Sequence, residues 1–260
     1  MLVKMSDLNG CSIRATDGEI GSVHDVYFDA DTWTVRYLVV DAGTWLTGRR
    51  VLVSPRAVRG ADPGSRHLDV ALARQQVENS PDVDTARPVS RQHEIEFAEY
   101  YEYPYYWGGP FRWGFEPYPG ALASPRRRSA VEEEIRARER ENADPHLHSG
   151  REVIGYYLEA SDGDLGHVED FLVDDLSWAI RYMVVDTRNW LPGKTVLVSP
   201  EWIRDVSWAD SKVRVDLTRA SVERAPEYDP SRPLERDAER RLHEHYGLGT
   251  YWDREAPPAA

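Results

Sequence analysis

Cysteine is nearly absent. Cys11 is the only one among 260 residues, so no intrachain disulfide can form, which fits a reducing compartment. Long apolar runs are missing as well. No stretch approaches the roughly 18 consecutive apolar residues of a membrane helix, and the opening MLVKMSDLNG lacks the apolar core of a signal peptide. A cytoplasmic protein with no integral membrane segment is the expectation. Positive charge is in deficit: 32 Lys and Arg face 45 Asp and Glu, for a net charge of −13. An acidic surface repels phosphate, so no nucleic acid partner is expected. The one dense basic run, Arg126-Arg127-Arg128, is followed by Glu132-Glu133-Glu134 and reads as part of a mixed-charge helix. No glycine loop opens a helix, which argues against a phosphate cradle. With one Cys and no partnered His, thiol catalysis has no support. The His-x-His pairs at His146/His148 and His243/His245 lack matched acidic or thiol ligands, so no metal site is assigned. No catalytic or cofactor residue is assigned, and the chain is expected not to be an enzyme.

What is present is a repeat. The stretch from Thr16 to Asp41, TDGEIGSVHDVYFDADTWTVRYLVVD, returns from Ser161 to Asp186 as SDGDLGHVEDFLVDDLSWAIRYMVVD. Asp17 and Asp162, Trp33 and Trp178, Tyr37 and Tyr182, Trp45 and Trp190, Pro55 and Pro200, and Trp107 and Trp252 all stand 145 residues apart. The register survives without a gap, so one unit has been used twice.

Within the unit, Asp17-Gly18 is a strong hairpin signal of the type I′ kind, which needs positive φ at both central residues. Gly21 and Gly166 follow it and suit a bulge. Val23 to Asp29 reads as the return strand. Trp33, Val35, Tyr37 and Val39 then alternate with Thr34, Arg36 and Leu38, a period of two that argues a strand. The aromatics are expected to fill the core while the Arg36 stem lies outside. Leu38-Val39-Val40 is apolar on both faces, as in a central strand. Val51 to Val53, a short segment at Val58, and Leu68 to Leu72 add further strands. Short strands at even spacing, with Gly, Asp and Pro between them, predict a small barrel or sandwich, and closure into a barrel would remove exposed edges.

The reading then turns helical, with short helices over 75–79 and 90–101. Val89, His93, Phe97 and Tyr101 recur every four residues and predict one buried face. Next comes YYEYPYYWGGPFRWGFEPYPG, 100–120, aromatic and rich in Gly and Pro, which reads as a covering linker. Exposed Tyr and Trp are favoured at interfaces. Tyr103, Tyr105, Tyr106, Trp107, Phe111 and Trp113 therefore form a candidate interaction surface; the alternative is that they cover the barrel mouth. Ser129 to Glu132 fits a capping box ahead of a charged helix over 132–142. Arg36, Asp41, Arg181 and Asp186, retained in both copies, are a candidate polar cleft. The Asp25/Asp170 pair reads as capping of backbone donors beside turns.

The pattern Asp-Gly, Ile/Leu-Gly, Val, Asp, a turn, Arg-Tyr-Leu/Met-Val-Val-Asp and Val-Leu-Val-Ser-Pro resembles the PRC-barrel domain. That domain is shared by the H subunit of purple bacterial photosynthetic reaction centres and the C-terminal part of the ribosome maturation factor RimM. The resemblance implies a mainly β chain with two PRC-type barrels in tandem. The first barrel would occupy 1–87. Residues 88–149 would form a helix, the aromatic linker and the charged helix. The second barrel would follow at 150–230, with a C-terminal helix and tail at 231–260. It also implies a non-catalytic interaction or scaffold module with an unidentified protein partner and possible self-association. A peripheral regulator of a membrane electron-transfer complex is the alternative. A ribosome- or RNA-associated factor comes next and is disfavoured by the acidic charge.

Overall fold

The computed structural model describes residues 1–46, 48–62, 66–81, 89–120, 146–187 and 194–255. The charged helix expected over 132–142, with its capping box, lies outside these residues. The architecture is mainly β, built on two seven-stranded sheets. Two compact units share the chain. One takes Met1, Val3–Glu152 and Val173–Ile180; the other takes Leu2, Val153–Leu172 and Arg181–Ala260.

The first sheet contains β2 (Ser12–Ala15), β3 (Gly18–Asp29), β4 (Thr34–Asp41), β5 (Arg50–Val53), β6 (Val58–Asp62) and β7 (His67–Val70) in the order β5-β4-β3-β2-β7-β6. All neighbours are antiparallel except β2 and β7, which run parallel. Strand β3 is twelve residues long and serves three neighbours. Its start pairs with β2, from Ser22 onward it pairs with β4, and its end pairs with β8 (Leu147–Ser149). The second sheet repeats the order with β9 (Tyr157–Ala160) to β14 (Lys212–Val215), and β1 (Leu2–Lys4) pairs with β10 (Gly163–Asp174).

The expected closure into barrels is not found: among the described residues each ladder path is open. In the first sheet the two ends, β5 and β6, are joined by a single turn at Pro55–Ala57. The five steps from Val53 to Val58 span at most about 18 Å, so the path must curl to bring its ends near. Within that turn the Ser54 and Pro55 carbonyls accept from the Ala57 and Val58 N–H groups, and Pro55 has no N–H to give.

The hairpin after β2 also differs from the expected type I′ turn. Ala15 pairs with Gly18, so Thr16 and Asp17 are the central residues, and neither has positive φ. Asp17 is retained for another reason. Its Oδ1 accepts the Arg74 N–H (2.8 Å) at the start of α2 (Arg74–Glu78), whose own N-cap residue, Ala73, has no side-chain acceptor. Asp162 does the same for Arg219 at 2.7 Å. Asp17→Ala should therefore destabilise the first unit by about 1 kcal/mol, as for loss of a helix cap. Asp162→Ala should cost less, because Thr218 also caps its helix by accepting from Ser221 N–H. Chemical denaturation of both variants checks the difference. Gly21 and Gly166 sit at register breaks as expected, and a Cβ there would lie 2.0 and 1.9 Å from the carbonyl oxygens of Asp41 and Asp186.

Trp33 is not in the strand. It holds φ +49, and Trp178 holds +59, rare values for bulky side chains. In the first unit Val35 N–H donates to Trp178 O (2.8 Å) and Ile180 N–H to Trp33 O (2.7 Å), which fixes both. Strand β4 is buried at every residue from Thr34 to Val40. Its second face is covered by α3 (Arg91–Tyr100) and the aromatic stretch, where Tyr37, Val39, Leu52, Val89, Phe97 and Leu147 form one cluster. The buried face of α3 is Glu94, Ile95, Phe97 and Ala98. His93 is exposed, contrary to the four-residue spacing, and its ring meets the Ser90 hydroxyl instead.

Candidate functional site

Arg36 is buried, the reverse of the outward stem expected for it. A guanidinium cannot be buried without compensation, and the aromatic stretch supplies it. Arg36 Nη1 donates to Arg112 O (2.6 Å), and Nη2 donates to Thr32 Oγ1 (2.9 Å) and Asp29 Oδ2 (3.2 Å). The guanidinium carbon lies 3.7 Å from the Tyr106 ring centre and 4.9 Å from that of Trp113. Arg56, also buried, donates from Nη2 to Trp113 O (2.9 Å). Burial, with Arg36 nearby, pulls the Arg56 pKa down to about 10.

Next to this stack lies a buried carboxylate. Glu94 Oε1 accepts from the Tyr106 hydroxyl (2.6 Å), while Oε2 accepts from Arg91 Nη1 (3.0 Å) and lies 2.8 Å from His146 Nε2. Burial, reinforced by Glu94, holds the Tyr106 phenol well above the usual tyrosine range. The second unit rebuilds the group from its own residues. Arg236 Nη1 pairs with Glu239 Oε2 (3.1 Å), and Tyr251 and Tyr182 donate to Glu239 Oε1 at 2.9 and 3.2 Å. Arg181 lies 3.9 Å above the Tyr251 ring. Burial raises the Glu239 carboxyl above its ordinary value.

The space beside Arg36, Arg56, Tyr106 and Trp113 is about 10 Å³, room for one water at most. No substrate enters there. The arginine–aromatic stack and its carboxylate hold α3 and the aromatic stretch on the sheet.

The other candidate residues have defined places. Tyr105, Tyr106 and Trp113 are buried, Tyr103 and Trp107 half-buried, and Phe111 is 52% exposed. Asp41 Oδ1 accepts from Gly43 N–H (2.9 Å), and Asp186 is buried in β11 (Ile180–Asp186). Asp25 accepts from Val26 N–H (2.7 Å) and from the Ser149 hydroxyl (2.6 Å). His148 lies in β8 against Phe28, not in a linker, while His146 reaches Glu94. Among the described residues no group of three His, Cys, Asp or Glu could hold a metal ion.

Asp29 accepts from the Asp31 and Thr32 N–H groups. Burial alone would raise its carboxyl, but Arg36, His146 and these two donors outweigh that and hold it below its ordinary value. A depressed carboxyl stabilises the fold above its unfolded pKa near 4, and the contribution is lost as pH falls through the folded value. Asp29→Asn should flatten that acid limb, measured by thermal melting from about pH 2 to 5.

These ladders and their covering helix define a small, single-sheet β domain. Residues 2–74 match the family model of the PRC-barrel domain. That match suggests a protein-interaction module, and the sheet order of the first half is repeated in the second. No curated protein matches the chain. No helix among the described residues is long and apolar enough to cross a membrane.

Proposed function

We propose that the protein is a non-catalytic scaffold or adaptor of the cytoplasm, and that it binds a protein partner through the exposed part of its aromatic stretch. The observation that carries this is a division within the stretch. Tyr105, Tyr106 and Trp113 are used inside the unit, whereas Phe111, Phe115 and Tyr118 are 52, 46 and 50% exposed. Large apolar rings left in water within eight residues of chain favour a partner surface. The carboxylates of Asp25, Asp29, Asp41 and the buried Glu94 are engaged elsewhere: the three aspartates accept backbone N–H groups, and Glu94 holds Arg91.

The test is in-cell crosslinking and mass spectrometry on wild type and Phe111→Ser/Phe115→Ser. Replacing Tyr105, Tyr106 and Trp107 would dismantle the core and report on folding only. A stoichiometric partner captured by the wild type and lost in the variant is the expected result. Equal capture by both, with both folded, rejects this surface; no stoichiometric partner in either rejects the adaptor reading.

A further inference from the structure

A cavity of about 1000 Å³ opens within the first unit. That is the size range of small-molecule sites. Its walls are mainly apolar, with Leu8, Val58, Leu68 and Trp178 inside. Tyr118 and Leu176 also line it while 50 and 67% exposed. Among the described residues the cations that line it are Arg59 and Arg66. Arg66 is held in place, its Nη2 donating to Asn9 O (2.8 Å) from a residue with φ +54. Asp7 and Asp175 line it too, but Asp175 is paired with the Met1 amino group. Among the described residues two guanidinium groups therefore face one carboxylate, Asp7, that is not engaged by Met1. His67 also lines the cavity, and its Nδ1 is buried with no hydrogen-bond partner among the described residues.

The second unit carries different groups at the equivalent sequence positions. At the 145-residue shift, Tyr156 replaces Cys11 and Asp205 replaces Gly60. The Tyr156 and Trp208 rings lie 6.2 Å apart, and Asp205 pairs with Arg204, the counterpart of Arg59, and with Arg214. The first unit has a thiol and a hydrogen where the second has a ring and a carboxylate. Among the described residues Arg59 has no ion pair.

We infer that this cavity binds an apolar-bodied monocarboxylate of the medium-chain fatty acid class, its chain against the apolar walls and its carboxylate at Arg59 and Arg66. A guanidinium fork matches a planar carboxylate, and the apolar walls suit an alkyl chain better than a polyanion. Tyr118 borders both this cavity and the proposed partner surface, but Arg59, Gly60 and Arg66 lie apart from Phe111 and Phe115 in the sequence, so the two tests use different variants and either reading can fail alone.

The test is calorimetric titration of the full chain with decanoate, decylammonium and decanol. Decanoate should bind saturably at one site, and decylammonium at least about tenfold more weakly. Arg59→Gln with Arg66→Asn should weaken decanoate about tenfold or more and leave decanol unchanged; Asn suits the left-handed backbone at 66. Gly60→Phe should abolish binding, since a Cβ there meets no atom within 4 Å and the ring has room to enter the cavity. Decanoate should also slow alkylation of Cys11, a wall residue. No saturable decanoate binding, equal binding of decylammonium or decanol, or unchanged binding in folded Gly60→Phe would each overturn the inference. Should the arginine variant fail to fold, the ligand comparison on wild type and the Gly60 variant decide.

Discussion

Glu94→Ala is expected to destabilise the first unit by about 3–5 kcal/mol, the cost of breaking a buried ion pair from one side. The carboxylate has no solvent exposure and holds three groups at once: Arg91, Tyr106 and His146. Arg91 is itself only 13% exposed, so its charge would stay buried with its carboxylate gone. Glu94→Gln keeps the shape and one acceptor and should fall between the variant and wild type. Glu239→Ala should cost less. Arg236 is 51% exposed and can turn to water, and the raised Glu239 carboxyl already shows a burial penalty on the charged form. Urea denaturation followed by tyrosine and tryptophan fluorescence gives the three values. A loss below about 1 kcal/mol for Glu94→Ala would mean that the cluster does not hold the helix down.

Trp113→Ala should be comparably severe, about 3–5 kcal/mol. The ring is 1% exposed and faces both buried arginines, 4.9 Å from Arg36 and 5.2 Å from Arg56. Its Nε1 donates to Ser177 O at 2.8 Å, within the same unit. Truncation leaves a cavity and strips two cations of their aromatic cover. Trp113→Phe keeps a π face and loses the indole hydrogen bond, so about 1–2 kcal/mol is expected. If Ala and Phe proved equal, the missing hydrogen bond and not the ring cover would be the larger effect.

Much of the fold was legible because strands announce themselves locally. The period of two around β4, the bulge glycines and the 145-residue register are short-range signals. The buried polar group was not. Glu94 and His146 are 52 positions apart and on different elements, and no spacing rule brings them together. Arg36 was misplaced for a related reason: alternation assumes one wet face, and β4 has none. A signal existed all the same. Arg91, Glu94 and Tyr106 recur as Arg236, Glu239 and Tyr251 at the same shift as the core residues, and charged residues held in step with a core share its burial. Sheet closure was beyond reach, since strand spacing does not record whether the last pair of edges bonds. Strand β8 was also hidden, because three residues carry no period.

The pairing of β3 with β8, and the inclusion of Val173–Ile180 in the first unit, bear on how the chain is made. A ribosome delivers β2 to β7 and α3 by residue 100, yet Glu94 meets His146 only later, and Trp33 and Trp113 meet their donor and acceptor groups, respectively, on the segment that ends at residue 180. At about 5–20 residues per second those roughly 80 further residues take about 4–16 s. During synthesis the nascent first unit therefore carries buried-type charges without their final partners. Co-translational folding of this protein is completed from the C-terminal side, and a stall between residues 100 and 146 would release a sheet with Glu94 still lacking His146.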